Sequence, residues 1–177
     1  MKDLNIINPS NQQLNNLLKC YQTGRYIDAE KLSLSITKEF PEHPFAWKVL
    51  GIVFKKTGRI NEALVVNQKS VELEPINMEA NFNLGNTLQE LGRLEEAEAC
   101  YKQAISIKPD YAEAHNNLGV TLQKIGRLEE AEACYKQAIS IKPDYAEAHN
   151  NLGVTLQKIG RLEEAEACYK QAISIKP

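Results

Sequence analysis

Gly92–Pro143 reads GRLEEAEACYKQAISIKPDYAEAHNNLGVTLQKIGRLEEAEACYKQAISIKP, and Gly126–Pro177 spells the same letters again. The match holds over 52 positions at a shift of 34 residues, which chance does not produce. Looser copies carry the period toward the amino end. Gly51, Gly85, Gly119 and Gly153 fall on one column, and Gly24, Gly58, Gly92, Gly126 and Gly160 on another. Pro41, Pro75, Pro109, Pro143 and Pro177 keep the same step, as do Ala29, Ala63, Ala97, Ala131 and Ala165. A fixed period of this length marks stacked supersecondary units, each of which needs its neighbours to bury an apolar face.

Each period predicts two helices. The first, as in Ala112–Ile125, places Ala114, Leu118, Thr121 and Leu122 near helical spacing. Gly126 ends it, because glycine accepts the left-handed conformation of a helix exit. The second, Leu128–Ile141, opens with Glu129, Glu130 and Glu132 and closes toward Lys136 and Lys142. Acid first and base last suits the helix dipole, and Glu132 with Lys136 is an i,i+4 pair in the better orientation. Ala131, Tyr135, Ala138 and Ile139 form the apolar stripe, and Pro143 cannot continue the helix. No stretch alternates as a strand would. The expected class is all-α.

Composition excludes several functions. The 177 residues are 43% apolar and 25% charged with a formal charge of −2. Lys and Arg number 10 against 8 acids in residues 1–75, then 11 against 15, so neither half is a nucleic-acid surface. No run of about 18 apolar residues predicts a membrane span. The start, MKDLNIINP, lacks the apolar core of a signal peptide, so a cytoplasmic location is expected.

Trp47-x2-Leu50-Gly51-x2-Phe54 with Ala63 and Pro75 resembles the tetratricopeptide repeat (TPR), as does Leu84-Gly85-x2-Leu88 with Ala97-x3-Tyr101 and Pro109. The resemblance covers about residues 10–177 and implies a right-handed superhelical solenoid of antiparallel helix pairs, about five units of 34 residues. Residues 1–9 are expected to be a tail and 10–43 a degenerate capping unit, with Leu17 where Gly51 stands. Ser10-Asn11-Gln12-Gln13 predicts a capping box there. Units follow at 44–77, 78–111, 112–145 and 146–177, the last two residues short and without a polar capping helix, as though the array were cut.

Chemistry-bearing residues are sparse. Cys100, Cys134 and Cys168 share one column on second helices about 10 Å apart. That exceeds the reach of a disulfide, so free thiols are expected. His115 and His149 occupy the column of Trp47 and Asn81 and are expected to cover a helix seam, without the further ligands that zinc needs. His43 falls in a turn, and the glutamates are expected to form a solvated face. Exact repetition places identical groups in identical surroundings, whereas an active site needs unlike groups converging on one point. No catalytic residue, metal or cofactor is expected.

In the family, outward residues of first helices line the ligand groove. Here they are Lys48, Ile52 and Lys55, then Asn83, Asn86 and Gln89. Asn116, Asn117, Val120, Gln123 and Lys124 follow, repeated as Asn150, Asn151, Val154, Gln157 and Lys158. The column Asn83, Asn117 and Asn151 resembles the asparagine ladder of O-linked N-acetylglucosamine transferases, whose carboxamides hold a peptide backbone, because an amide both donates and accepts. A dicarboxylate clamp of the kind some TPR proteins use is not expected. Lys48 and Asn83 fit it, but Ile52, Glu113 and Asn117 do not. The leading expectation is a non-enzymatic module that binds an extended peptide or partner segment. Alternatives are the substrate-recruiting part of a larger glycosyltransferase, or a scaffold that self-associates through its last unit. Neither nucleic acid nor membrane is an expected partner.

Overall fold

A computed structural model describes residues 8–176. Among them are ten α-helices and no strand: α1 (Asn11–Gln22), α2 (Tyr26–Glu39), α3 (Pro44–Lys56), α4 (Ile60–Leu73), α5 (Met78–Glu90), α6 (Leu94–Ile107), α7 (Ala112–Ile125), α8 (Leu128–Ile141), α9 (Ala146–Lys158) and α10 (Leu162–Ile175). The expected bounds of α7 and α8 are those observed. The helix-to-helix turn is the same each time. Gly126 sits at φ 91°, and the Arg127 N–H reaches back to the Leu122 carbonyl at 2.9 Å. A side chain there would be strained, which is why the column is glycine.

The chain divides into two compact units, ending at Thr87 and beginning at Leu88. In the first, α1 packs on α2, α2 on α3 and α3 on α4. The Ser10 hydroxyl accepts from the Gln13 N–H at 3.2 Å while the Gln13 side-chain oxygen accepts from the Ser10 N–H at 2.8 Å, closing the capping box. The turn after α1 keeps the 34-residue register, since Arg25 N donates to Cys20 O as Arg59 N does to Phe54 O. Leu17 therefore occupies the Gly51 position, and it is buried with Cys20, Ala29 and Ile36. Opposite the Gly51 position, α4 offers Asn67 where α6, α8 and α10 carry tyrosine. The Asn67 Nδ2 donates to Thr87 Oγ1 at 2.9 Å, while its buried Oδ1 has no hydrogen-bond partner among the described residues.

In the second unit each helix from α6 to α10 packs on the next. The arginines just ahead of α8 and α10 tie consecutive pairs. Arg127 Nη1 lies 2.7 Å from Glu98, and Arg161 Nη1 lies 2.7 Å from Glu132. Arg59 does the same to Glu30 at 2.6 Å in the first unit. Lys136 also donates to Glu132, at 2.6 Å. Glu132 is thus buried, not part of a solvated face as expected, because two cations replace its water.

Candidate functional site

The first helices carry the predicted ligand residues, and their exposure sorts them. In the first unit Lys48, Ile52, Lys55, Asn83 and Asn86 are half-buried, and Lys48 Nζ lies 3.4 Å from Glu74. In the second unit Gln89, Asn117, Val120, Gln123, Asn151 and Val154 are half-buried, while Lys124, Asn150, Gln157 and Lys158 are exposed. Asn116 is 0% exposed and does not face a groove.

Asn117 and Asn151 turn toward the neighbouring helix pair. Ala46, Val49 and Val53 of α3 show the geometry, since they share a core cluster with residues of α1 and α2. Asn83, Asn117 and Asn151 stand at the Val49 position, one and more periods on. Asn151 Nδ2 donates to Asn116 Oδ1 at 3.0 Å, and the Asn117 side chain hydrogen-bonds Tyr101. Asn117 and Asn151 each place a side-chain hydrogen bond in the seam between pairs. Gln89 is a seam residue as well, donating to Thr121 Oγ1 at 2.7 Å and to the Asn117 carbonyl at 3.2 Å.

Gln123 and Gln157 accept from the hydroxyls of Tyr135 and Tyr169 at 3.0 and 2.9 Å. Each keeps its amide nitrogen for another partner. What α7 and α9 offer together is a short repeated row, with Val120, Gln123 and Lys124 on α7 and Val154, Gln157 and Lys158 on α9. The two helices touch, so the rows are neighbours. Neither Lys124 nor Lys158 has an ion pair among the described residues.

His115 and His149 hydrogen-bond the turn ahead of their own helices. His115 Nε2 lies 2.9 Å from the Pro109 carbonyl and His149 Nε2 lies 3.0 Å from the Pro143 carbonyl. A carbonyl only accepts, so the ring proton sits on Nε2. Trp47 and Asn81 of the same column make the same bond to Pro41 and Pro75, at 2.8 and 3.0 Å. The column therefore selects for an N–H at fixed reach, which explains how Trp, Asn and His alternate in it. Burial pushes the Cys100 and Cys134 thiols up to about 11, which makes them poor nucleophiles. No cluster of metal-ligating side chains occurs among the described residues. The inter-pair arginine clasp went unread in the sequence, although its signal is there: Glu98 with Arg127 and Glu132 with Arg161 share a spacing of 29.

The family model described as Tetratricopeptide repeat matches residues 77–144 and 110–177. A search of curated proteins returned no match. Among solved structures, the crystal structure of MamA superposes with a TM-score of 0.82 at 25% identity, covering 89% of this chain and 92% of that one. MamA 41-end from Desulfovibrio magneticus RS-1 gives 0.85 at 18% identity, covering 93% of each chain. YrrB, described as a TPR protein with an unusual peptide-binding site, gives 0.80 at 21% identity, covering 96% of this chain and 87% of that one. With ten helices packed as consecutive pairs and a family model spanning more than half its length, this chain belongs to the tetratricopeptide repeat family.

Proposed function

We propose that the chain, a protein–protein interaction module, binds an extended peptide segment across the repeated row of α7 and α9. The observation that carries this reading is the pair of identical rungs, Val120 with Lys124 and Val154 with Lys158, on two helices in contact. Helices in contact lie about 10 Å apart, and an extended chain rises about 3.3 Å per residue. One rung thus meets every third residue of the ligand. Valine suits an apolar side chain and the lysine an acidic one, so the ligand class is an extended segment with apolar and acidic residues at that spacing. Gln123 and Gln157 supply amide donors for its backbone carbonyls. Few such bonds, each netting about 0.5–1.5 kcal/mol, set against an association cost of about 4–15 kcal/mol, give an affinity no tighter than about micromolar.

The test is selection of 12-residue peptides from a random library on the immobilised chain, followed by titration of the winners. The Val120→Asp/Val154→Asp and Lys124→Glu/Lys158→Glu pairs are expected to weaken binding at least about tenfold with unchanged thermal unfolding. Equal affinity of both variants and the parent chain sinks the reading.

A further inference from the structure

One set of four residues occurs twice with two different hydrogen-bond arrangements. Gln89, Tyr101, Asn117 and Thr121 form the first set, and Gln123, Tyr135, Asn151 and Thr155 repeat it 34 residues on. In the first, Gln89 Nε2 donates into the seam, to Thr121 Oγ1 at 2.7 Å and to the Asn117 carbonyl at 3.2 Å, and the Asn117 side chain hydrogen-bonds Tyr101. In the second, the Tyr135 hydroxyl donates to Gln123 Oε1 at 3.0 Å and Asn151 Nδ2 donates to Asn116 Oδ1 at 3.0 Å. Gln123 Nε2 makes no hydrogen bond among the described residues. The seam station that Gln89 uses is present again. Thr155 is fully buried, and its hydroxyl donates to the Asn151 carbonyl at 3.0 Å just as Thr121 donates to Asn117 at 2.9 Å. Gln123 does not take it.

The cause lies outside the set. Helices α6 and α8 have one sequence, and α9 repeats AEAHNNLGVTLQK of α7. What differs is the helix before, MEANFNLGNTLQE in α5 against AEAHNNLGVTLQK in α7. Of the residues that distinguish α7 from α5, Asn116 is the one that hydrogen-bonds a member of the set among the described residues. In that column α5 carries Phe82, whose ring has no amide oxygen to offer. Asn116 is fully buried, so its oxygen needs a donor from the neighbouring pair, and Asn151 supplies it. The Tyr135 side chain is sealed from solvent as well, and its hydroxyl is satisfied by Gln123. A free carboxamide both donates and accepts. With its oxygen held by a hydroxyl on a ring packed against Gly119, Gln123 has only donors left to present.

We propose, on the reading that the α7–α9 row binds a peptide, that Asn116 and Tyr135 are positioning residues for that row: through them Gln123 becomes a fixed donor for a backbone carbonyl of the ligand, while Gln89 is spent in the seam. Lys124, next in the chain, is also a pure donor. The α7 rung therefore takes a carbonyl and an acidic side chain, and refuses a ligand that presents an N–H at the same place.

The experiment has an arm without ligand. Hydrogen exchange of the side-chain amides is followed by NMR in the full chain, with Gln89→Leu and Gln123→Leu assigning the two signals. The Gln123 amide is expected to exchange at least about threefold faster than that of Gln89, which has hydrogen bonds to break. Asn116→Leu, which installs the residue that α1 has in this column as Leu14, is expected to send Asn151 to the Tyr135 hydroxyl and slow Gln123 to the rate of Gln89. Tyr135→Phe, which keeps the ring on Gly119, is expected to do the same. Equal exchange of the two glutamines in the parent chain overturns the proposal, and so does a Gln123 rate that neither variant changes. If Asn116→Leu loses helix content, Tyr135→Phe is read against the same outcomes. The second arm uses the selected 12-residue peptides. Tyr135→Phe is expected to weaken their binding about three- to tenfold, whereas Tyr101→Phe, the same loss one period earlier, is expected to leave it unchanged. Equal weakening by both variants overturns the positioning role. A parent chain that binds no peptide sinks the binding reading, and with it the part of the proposal that concerns a ligand, while the exchange rates still decide what holds Gln123.

Discussion

Gly119 on α7 and Tyr135 on α8 are in direct contact: a Cβ at Gly119 would lie 2.7 Å from Tyr135 Cε1. Gly153 and Tyr169 repeat the relation at 2.6 Å, and Gly51 meets the smaller Asn67. At the equivalent positions of the first pair stand Leu17 and Ser33, both fully buried, with the bulk moved from the second helix to the first. The two positions share one volume. Gly119→Ala is expected to cost about 1–3 kcal/mol by overpacking, read in urea unfolding. The penalty is expected to shrink in a Tyr135→Ser background, since the cycle removes the ring the methyl strikes.

Acid sensitivity is expected to centre on the seam. The Glu132 carboxyl is held below its ordinary 4.5 by the hydrogen bond from Lys136, with Arg161 adding to it against the opposing effect of burial. A depressed folded-state value means that stability is present above about 4.5 and lost as pH falls through the folded value. Thermal unfolding of the parent chain is expected to drop over that window. Glu132→Gln is expected to lower stability at pH 7 and to flatten the acid limb; an unchanged limb sinks the assignment.

The thiols report on packing. With Cys100 and Cys134 near 11, against 9.0 for an ordinary thiol, their thiolate fraction at pH 8 is reduced about 100-fold. Iodoacetamide is expected to label both slowly in the folded chain and rapidly in urea, with mass spectrometry of the peptides as the readout.

The Ser10–Gln13 capping box predicts a local effect. Ser10→Ala removes the acceptor for the Gln13 N–H and is expected to cost about 1 kcal/mol. Hydrogen exchange is expected to quicken in α1 and to stay unchanged in α9 and α10.

The period, the helix bounds, the capping box and the turn glycines were legible because each rests on local backbone chemistry: a left-handed exit at Gly126, a proline stop at Pro143, charges matched to a helix dipole. The glycine-on-tyrosine contact was foreshadowed by its two columns. The candidate site was legible only as a set of positions on first helices. Helical periodicity says that Asn117 and Val120 lie near one face, but it does not say whether that face meets solvent or the previous pair. Asn117, Asn151 and Gln89 make hydrogen bonds in the seam, while Val120 and Val154 are half-buried and Lys124 and Lys158 exposed.

Asn116 and Asn150 mark the boundary between the two kinds of knowledge. The sequence by itself determined that both sit on a first helix, two residues after an alanine and just before an Asn-Leu-Gly, because identical residues impose identical local backbone preferences. Only the tertiary structure decided that one is sealed against Asn151 while the other stays open. Burial is a property of what a face is packed against, and that neighbour lies outside the letters that form the helix.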